Sequence, residues 1–225
     1  MTPASPRVSI EVSLEVGAKR VFASALDWPG WCRSGKGEQL ALDALATAAP
    51  RYAVVATEAG FPLPAHPASL MDVVERLPGS ASTDFGAPGA AGAADARPQT
   101  GEDGARLAAL VAACWTVFDR VVAGAPAELR KGPRGGGRDR DKVVDHVLAA
   151  EVAYARHLGL RFRQPAHDDH DAISTLRAAI LDALCQPSGG APPSGKGWPL
   201  RYAARRIAWH VVDHAWEIED RSDPA

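Results

Sequence analysis

Cysteine is scarce: Cys32, Cys114 and Cys185 are the three in 225 residues. They lie far apart and no two form a C-x-x-C pair, so no disulfide framework is expected and a reducing compartment suits the chain. An excess of charge of one sign is also missing. The formal net charge of -2 gives no electrostatic reason for nucleic acid as the main partner. The opening Met1-Thr2-Pro3-Ala4-Ser5-Pro6 is polar, and no signal peptide is expected in it. The longest apolar stretches read as helical faces interrupted by Arg, Asp or Glu, short of a membrane span. These absences together predict a cytoplasmic protein with no membrane partner. No internal repeat is found.

What is present is ordinary for a globular chain, with 46% hydrophobic and 23% charged residues. The length allows one large domain or two small ones, each with a real core. Val8, Ile10, Val12, Leu14 and Val16 alternate with polar residues and predict a half-buried strand. Gly17-Ala18-Lys19 reads as a turn, with a second strand over residues 20–26. Pro29-Gly30 punctuates a loop before a short strand-like piece. Residues 38–58 read as one amphipathic helix with Leu40, Leu42, Leu45, Tyr52 and Val55 as core candidates, and residues 71–77 as one more strand.

Residues 78–100 are dominated by Gly, Ala, Pro and Ser. Such a composition buries little apolar surface, so a linker or long loop is expected, with part of it docked through Asp84-Phe85-Gly86-Ala87-Pro88. From residue 101 the pattern is helical. Leu107, Leu110, Val111, Cys114, Val117, Phe118 and Val121 follow 3-4 spacing, and Pro126 lies just beyond. Asp139 or Asp141 is placed to cap a helix running to His157, stopped by Gly159. Ile173, Leu176, Ile180 and Leu184 mark a third helix, and Pro199 suits the first turn of a fourth. The expected class is therefore α+β: a small N-terminal β-β-α-β module over residues 1–78, a linker over 79–100, and a four-helix bundle over 101–225.

His210 and His214 stand four residues apart in the fourth helix, so both imidazoles project from one face. Ala203, Ile207, Val211 and Ile218 share that stripe. Imidazoles on a buried face need hydrogen bonds or a ligand, because unsatisfied ring nitrogens are costly there. His146, flanked by Val143, Val144, Val147 and Leu148 on another helix, is the third candidate. Three histidines converging between helices would hold a divalent ion such as zinc or nickel, with one position left for water or substrate. The rival reading makes them core histidines bonded to Asp213, Asp145 or backbone carbonyls.

The stretches from Asp141 to Glu151 (DKVVDHVLAAE) and from Ala208 to Glu217 (AWHVVDHAWE) resemble the DinB/YfiT-like metalloenzyme superfamily, which includes thiol-dependent S-transferases and mycothiol-dependent maleylpyruvate isomerases. That family places one histidine on its second helix and an H-x-x-x-H pair on its fourth, matched here by His146, His210 and His214. The resemblance covers roughly residues 101–221. It implies a four-helix bundle and group transfer or isomerisation of a small electrophilic substrate with a low-molecular-weight thiol as co-substrate. The stretch from Ala25 to Glu38, followed by Ala41-Leu42-Asp43-Ala44-Leu45, is similar to the small α+β module of HicB-type antitoxins. It implies fold alone, since no helix-turn-helix or ribbon-helix-helix segment follows.

The loop Arg130 to Arg140 sets five basic residues among four glycines. Arg134 and Arg138 are its candidates for holding an anionic substrate or the carboxylate of a thiol. It is no Walker A loop, since no G-K-[ST] follows the glycines. Arg201, Arg205 and Arg206 read as surface pairs, and Trp209 and Trp216 as packing or inter-domain contacts. Glu217, three residues after His214, is a candidate fourth ligand, partner of a ligand or general base. Glu151 is another inward candidate, and Cys114 reads as a buried small hydrophobe. His66, His157, His167 and His170 receive no role. Two rivals stay open: a metal-dependent hydrolase, and a binding or regulatory protein whose metal is structural or absent. A homodimer is left open as its assembly.

Overall fold

The computed structural model describes residues 9–131, 137–193 and 195–222. Its architecture is mixed α+β, a four-stranded sheet followed by helices. Strands β1 (Ile10–Val16) and β2 (Val21–Ala25) form the expected antiparallel hairpin. The short strand-like piece read after Pro29-Gly30 is a third strand, β3 (Cys32–Gly35), which extends the hairpin, so the module begins β-β-β where a β-β-α-β order was expected. The helix expected over residues 38–58 is two, α1 (Glu38–Thr47) and α2 (Ala49–Glu58). Pro50 has no N–H to continue the ladder, and it sits in the first turn of α2. The helices cross over to β4 (Met71–Pro78), which pairs parallel to β1 and completes the order β3-β2-β1-β4.

Ile10, Val12 and Leu14 of β1 are buried in the same core as Leu45, Tyr52 and Val55 of α1 and α2. The opposite face carries Ser13, Glu15 and Ser24, yet these are buried as well. The half-buried strand of the alternation pattern is therefore covered on both sides. The second cover comes from the segment read as a linker. Short helix α3 (Ala81–Phe85) starts with a capping box between Ser80 and Thr83. Beyond it, the Glu15 carboxylate accepts hydrogen bonds from the Thr83 hydroxyl and from the N–H groups of Gly89 and Ala90, both at 2.9 Å. Glu75 accepts from the N–H groups of Ala93 and Ala94 at 2.6 and 3.3 Å. Carboxylates of the sheet thus satisfy the backbone of a strap that has few apolar groups to bury. The expected docking residue Phe85 is 91% exposed. Its neighbour Asp84 makes the contact instead, accepting from the Lys19 N–H at 2.7 Å.

Four longer helices follow: α4 (Gly101–Gly124), α5 (Arg140–His157), α6 (His170–Leu184) and α7 (Leu200–Ser222). Their bounds follow the caps and breakers of the sequence. Asp139 stands at the N-cap of α5 as expected but makes no side-chain capping bond. Thr100 and Asp103 make a capping box for α4 and Asp169 caps α6, neither read from the sequence, and Gly159 adopts φ 83° after α5. Helix α7 packs on each of the other three. By length and composition α4 is the one helix among the described residues able to cross a bilayer, longer in apolar character than the sequence reading allowed. Its stripe from Leu107 to Phe118 is buried in protein.

One continuous apolar core joins the sheet, α1 and α2 to α4–α7. The loop between β2 and β3 wedges into it. The Tyr52 hydroxyl donates to the Pro29 carbonyl at 2.8 Å, and Trp31 stacks on Tyr52 while donating to the Leu45 carbonyl. Gly30, at φ 95°, lies so close to Val212, Cys114 and Ala208 that a Cβ would touch Val212 at 3.0 Å.

Candidate metal centre

Helix α7 is buried along Ala203, Ile207, Val211 and Ile218, and this stripe brings His210 and His214 to face α5. Burial of Val143 and Val147 turns His146 toward them. The Nε2 atoms of His146 and His210 are 3.3 Å apart. One ligating nitrogen from each of the three histidines lies within 4.8 Å of the others. Ring centroids are separated by 4.6 to 5.0 Å. The sequence-predicted triad is therefore assembled.

The rival partners are engaged elsewhere. Asp213 accepts from Arg33 at 2.9 Å, and Asp145 contacts His167 Nδ1 at 3.1 Å. Neither reaches the triad. His210 is 7% exposed, and its Nδ1 is buried with no hydrogen-bond partner among the described residues. Burial pushes its pKa well below the ordinary histidine value, and His214 and His146 nearby push it further. Burial lowers the pKa of His146 too, followed by the effect of His214. Neutral imidazoles are the form that binds a metal, and this three-histidine group could hold an ion.

Glu217 is not turned toward the triad as a ligand. Its Oε2 lies 2.7 Å from Nδ1 of His214, and its Oε1 accepts from Arg221 at 2.7 Å. The hydrogen bond from His214 is the main cause holding the Glu217 carboxyl below its usual range. A carboxylate accepts, so Nδ1 of His214 carries a proton, and Nε2 is the nitrogen that a neutral ring would turn to an ion. Among the roles left open by the sequence, this geometry is that of a partner that fixes a ligand's tautomer and orientation. Arg221 in turn holds Glu217, and this chain of three is set at 214, 217 and 221 along one helix face.

Arg138 is exposed, and its charge contributes to the lowered pKa of His146 and His210. Arg134 lies outside the described residues. Elsewhere in the loop, Arg130 and Arg140 bond to the Asp220 and Ala125 carbonyls. The arginines of α7 depart from surface pairing. Arg205 is buried in a two-pronged pair with Asp95 at 2.9 and 2.6 Å. Arg206 lies over the rings of Tyr154 and Trp209 at 5.3 and 4.6 Å. Trp209 packs edge-on against Phe22, and Trp216 lies under Arg33 and Arg51, so both tryptophans pack against the N-terminal elements.

Glu151 is buried away from the triad and accepts from Trp115 Nε1 at 2.7 Å and from Arg177 at 3.3 Å. Cys114 is a buried packing residue whose thiol burial pushes up strongly. The sequence reading missed Tyr154, whose ring lies edge-on to His210 at 5.7 Å. Its position eight residues after His146 put it on the same face of α5, a usable signal. Arg221 was legible in the same way, four residues after Glu217. No protein-family model, no curated protein and no solved structure matches the chain.

Proposed function

We propose that the helical half is a DinB-type bundle that binds one divalent ion, zinc or nickel, through His146, His210 and His214. The observation carrying this is the meeting of three imidazoles from two helices, while the carboxylates expected to bond them serve Arg33 and His167. The 3.3 Å approach of the His146 and His210 Nε2 atoms and the Arg221–Glu217–His214 chain support the same reading. An ion held there supplies Lewis acidity and lowers the pKa of a thiol or water that reaches it.

The chain's own groups define the rest. Glu217 holds His214 in the Nδ1–H tautomer, and Arg221 holds Glu217. Arg138 brings a positive charge to the mouth of the site, suited to a substrate or thiol bearing a carboxylate. Glu217 is committed to His214, which leaves three protein ligands. That count favours catalysis over a closed structural site. We assign the protein as a cytoplasmic thiol-dependent transferase or isomerase acting on a small electrophile.

The test is metal content of tag-free protein by elemental analysis, with His146→Ala and a His210→Ala/His214→Ala double variant. About one equivalent in the parent, lost in both variants while the fold persists, is the expected result. It would be followed by a screen for thiol consumption with electrophiles. Folded parent protein that carries no metal and takes up neither zinc nor nickel would overturn the reading.

A further inference from the structure

A cleft of about 450 Å³ opens where the β2–β3 loop, the strap and the first turns of α4 and α7 meet. Its volume falls within the range that small-molecule sites occupy. The charges that line it are unequally satisfied. Arg97 pairs with Glu11, and Asp95 is neutralised by Arg205. Asp103 accepts from the Thr100 N–H and hydroxyl at 2.8 and 2.9 Å, capping α4.

Two guanidiniums are less closely engaged, although Asp27 and Asp103 both lie within ion-pair distance of Arg201. Arg106 donates to the Asp27 carbonyl at 2.6 Å and lies over the Trp28 ring at 4.7 Å. Its charge acts on Asp103, and its hydrogen bond is to a backbone carbonyl rather than a carboxylate. Arg201 is held by long contacts: 3.4 Å to Asp27 Oδ1, 3.3 Å to the Pro98 carbonyl and 3.6 Å to Asp103 Oδ2. Its Nε is buried with no hydrogen-bond partner among the described residues. A buried donor left unsatisfied on a charged fork is costly, and an anion is the chemistry that relieves it. The N-termini of two helices of 24 and 23 residues add positive potential at the same place.

From this we propose that the cleft binds a small molecule through a phosphate or carboxylate group, gripped by Arg201 and Arg106 beside the Trp28 ring. Arg201 precedes His210 by nine residues, roughly 13 Å along the axis of α7. The site is therefore separate from the histidine triad and does not depend on the metal reading. It spans the seam between the sheet module and the helices, so a bound anion ties the two together.

The test is an NMR titration of ¹⁵N-labelled full-length protein with inorganic phosphate and, separately, with succinate, each against sodium chloride at matched ionic strength. The Trp28 indole and the Arg201 Nε–H signals are followed. A saturable shift with phosphate or with succinate is expected, and the tighter of the two identifies the ligand's anionic group. Arg201→Gln and Arg106→Gln should each weaken it roughly tenfold or more. Arg201→Lys, which keeps the charge and loses the fork, should weaken it as well. His210→Ala should leave it intact, which separates this site from the metal centre. Failure of both anions to give a saturable shift, or an equal response to chloride, would overturn the proposal. So would affinity unchanged in Arg106→Gln, a variant that keeps the decision open should the Arg201 substitutions not fold.

Discussion

Removing the Asp95 carboxylate should unfold more than a loop. Asp95 and Arg205 are each about nine-tenths or more buried, at 1% and 10% side-chain exposure, and share bonds of 2.9 and 2.6 Å. Asp95 also accepts from the Gly92 N–H at 2.9 Å. Asp95→Ala deletes all three acceptor contacts and leaves a guanidinium buried in the seam. Breaking a buried pair from one side costs about 3–5 kcal/mol, mostly from the charge left behind. In a chain of this length each kcal/mol moves the melting point by about 2–4 °C, so a fall of roughly 6–20 °C is expected. Arg205→Met in the same chain removes the stranded charge and should recover a large part of the loss. Urea denaturation of the parent, both single variants and the double variant gives the cycle. Amide hydrogen exchange supplies a second readout, because the Ala93 and Ala94 N–H groups bonded to Glu75 should exchange faster only when the strap lifts. If Asp95→Ala costs less than about 1 kcal/mol, as a surface pair would, and exchange at Ala93 and Ala94 is unchanged, the strap is a tether and its description as part of the fold is wrong.

Two further predictions concern the triad. Glu217→Gln keeps the shape of the side chain but weakens its hold on His214 Nδ1, so zinc affinity should fall about 10–100-fold with little change in stability; a chelator-competition titration giving unaltered affinity would refute the orienting role. In metal-free protein, His210 and His146 have folded-state pKa values below the ordinary 6.5. The unfolded chain then binds more protons, so their contribution to stability is present above about pH 6.5 and lost as pH falls through the lowered folded values. Denaturation between about pH 8 and 5 should show that decline, and His210→Leu should flatten it. An unchanged slope in the variant would mean that other groups set the profile.

The helices of the second half were legible because their stops are local chemistry. Thr100, Asp169, Gly159 and Pro199 act within a turn of where they stand, and the helix bounds follow them. The break between α1 and α2 was equally local, and Pro50 marked it; the apolar spacing on either side concealed the break by remaining in phase. The strap was not legible for a different reason. Its order comes from Glu15, Glu75 and Arg205, which are 60 or more, 18 or more and 110 residues away from the groups they bind. A composition that buries little apolar surface reads as a linker unless those distant partners are known. The same limit explains why Arg205 read as a surface residue. An arginine's partner is decided by tertiary structure, and Asp95 sits in the segment that seemed least able to offer one.

The triad was legible because helical periodicity alone puts His210 and His214 on the stripe that α7 buries. What periodicity could not say is whether the flanking aspartates would quench them. Asp213 is one residue from His214, which on a helix turns it about 100° away, and there Arg33 of the sheet takes it at 2.9 Å. Asp145 is likewise turned off the His146 face and meets His167. Helix α7 therefore offers its histidines to α5 on one side, while Asp213, Trp209 and Arg205 bind the sheet module and the strap on the other. The N-terminal module keeps the acids of α7 occupied and so contributes to the chemistry of a site it does not line. A variant that frees Asp213, such as Arg33→Ala, acts on the outer face of the same helix and leaves the three imidazoles in place.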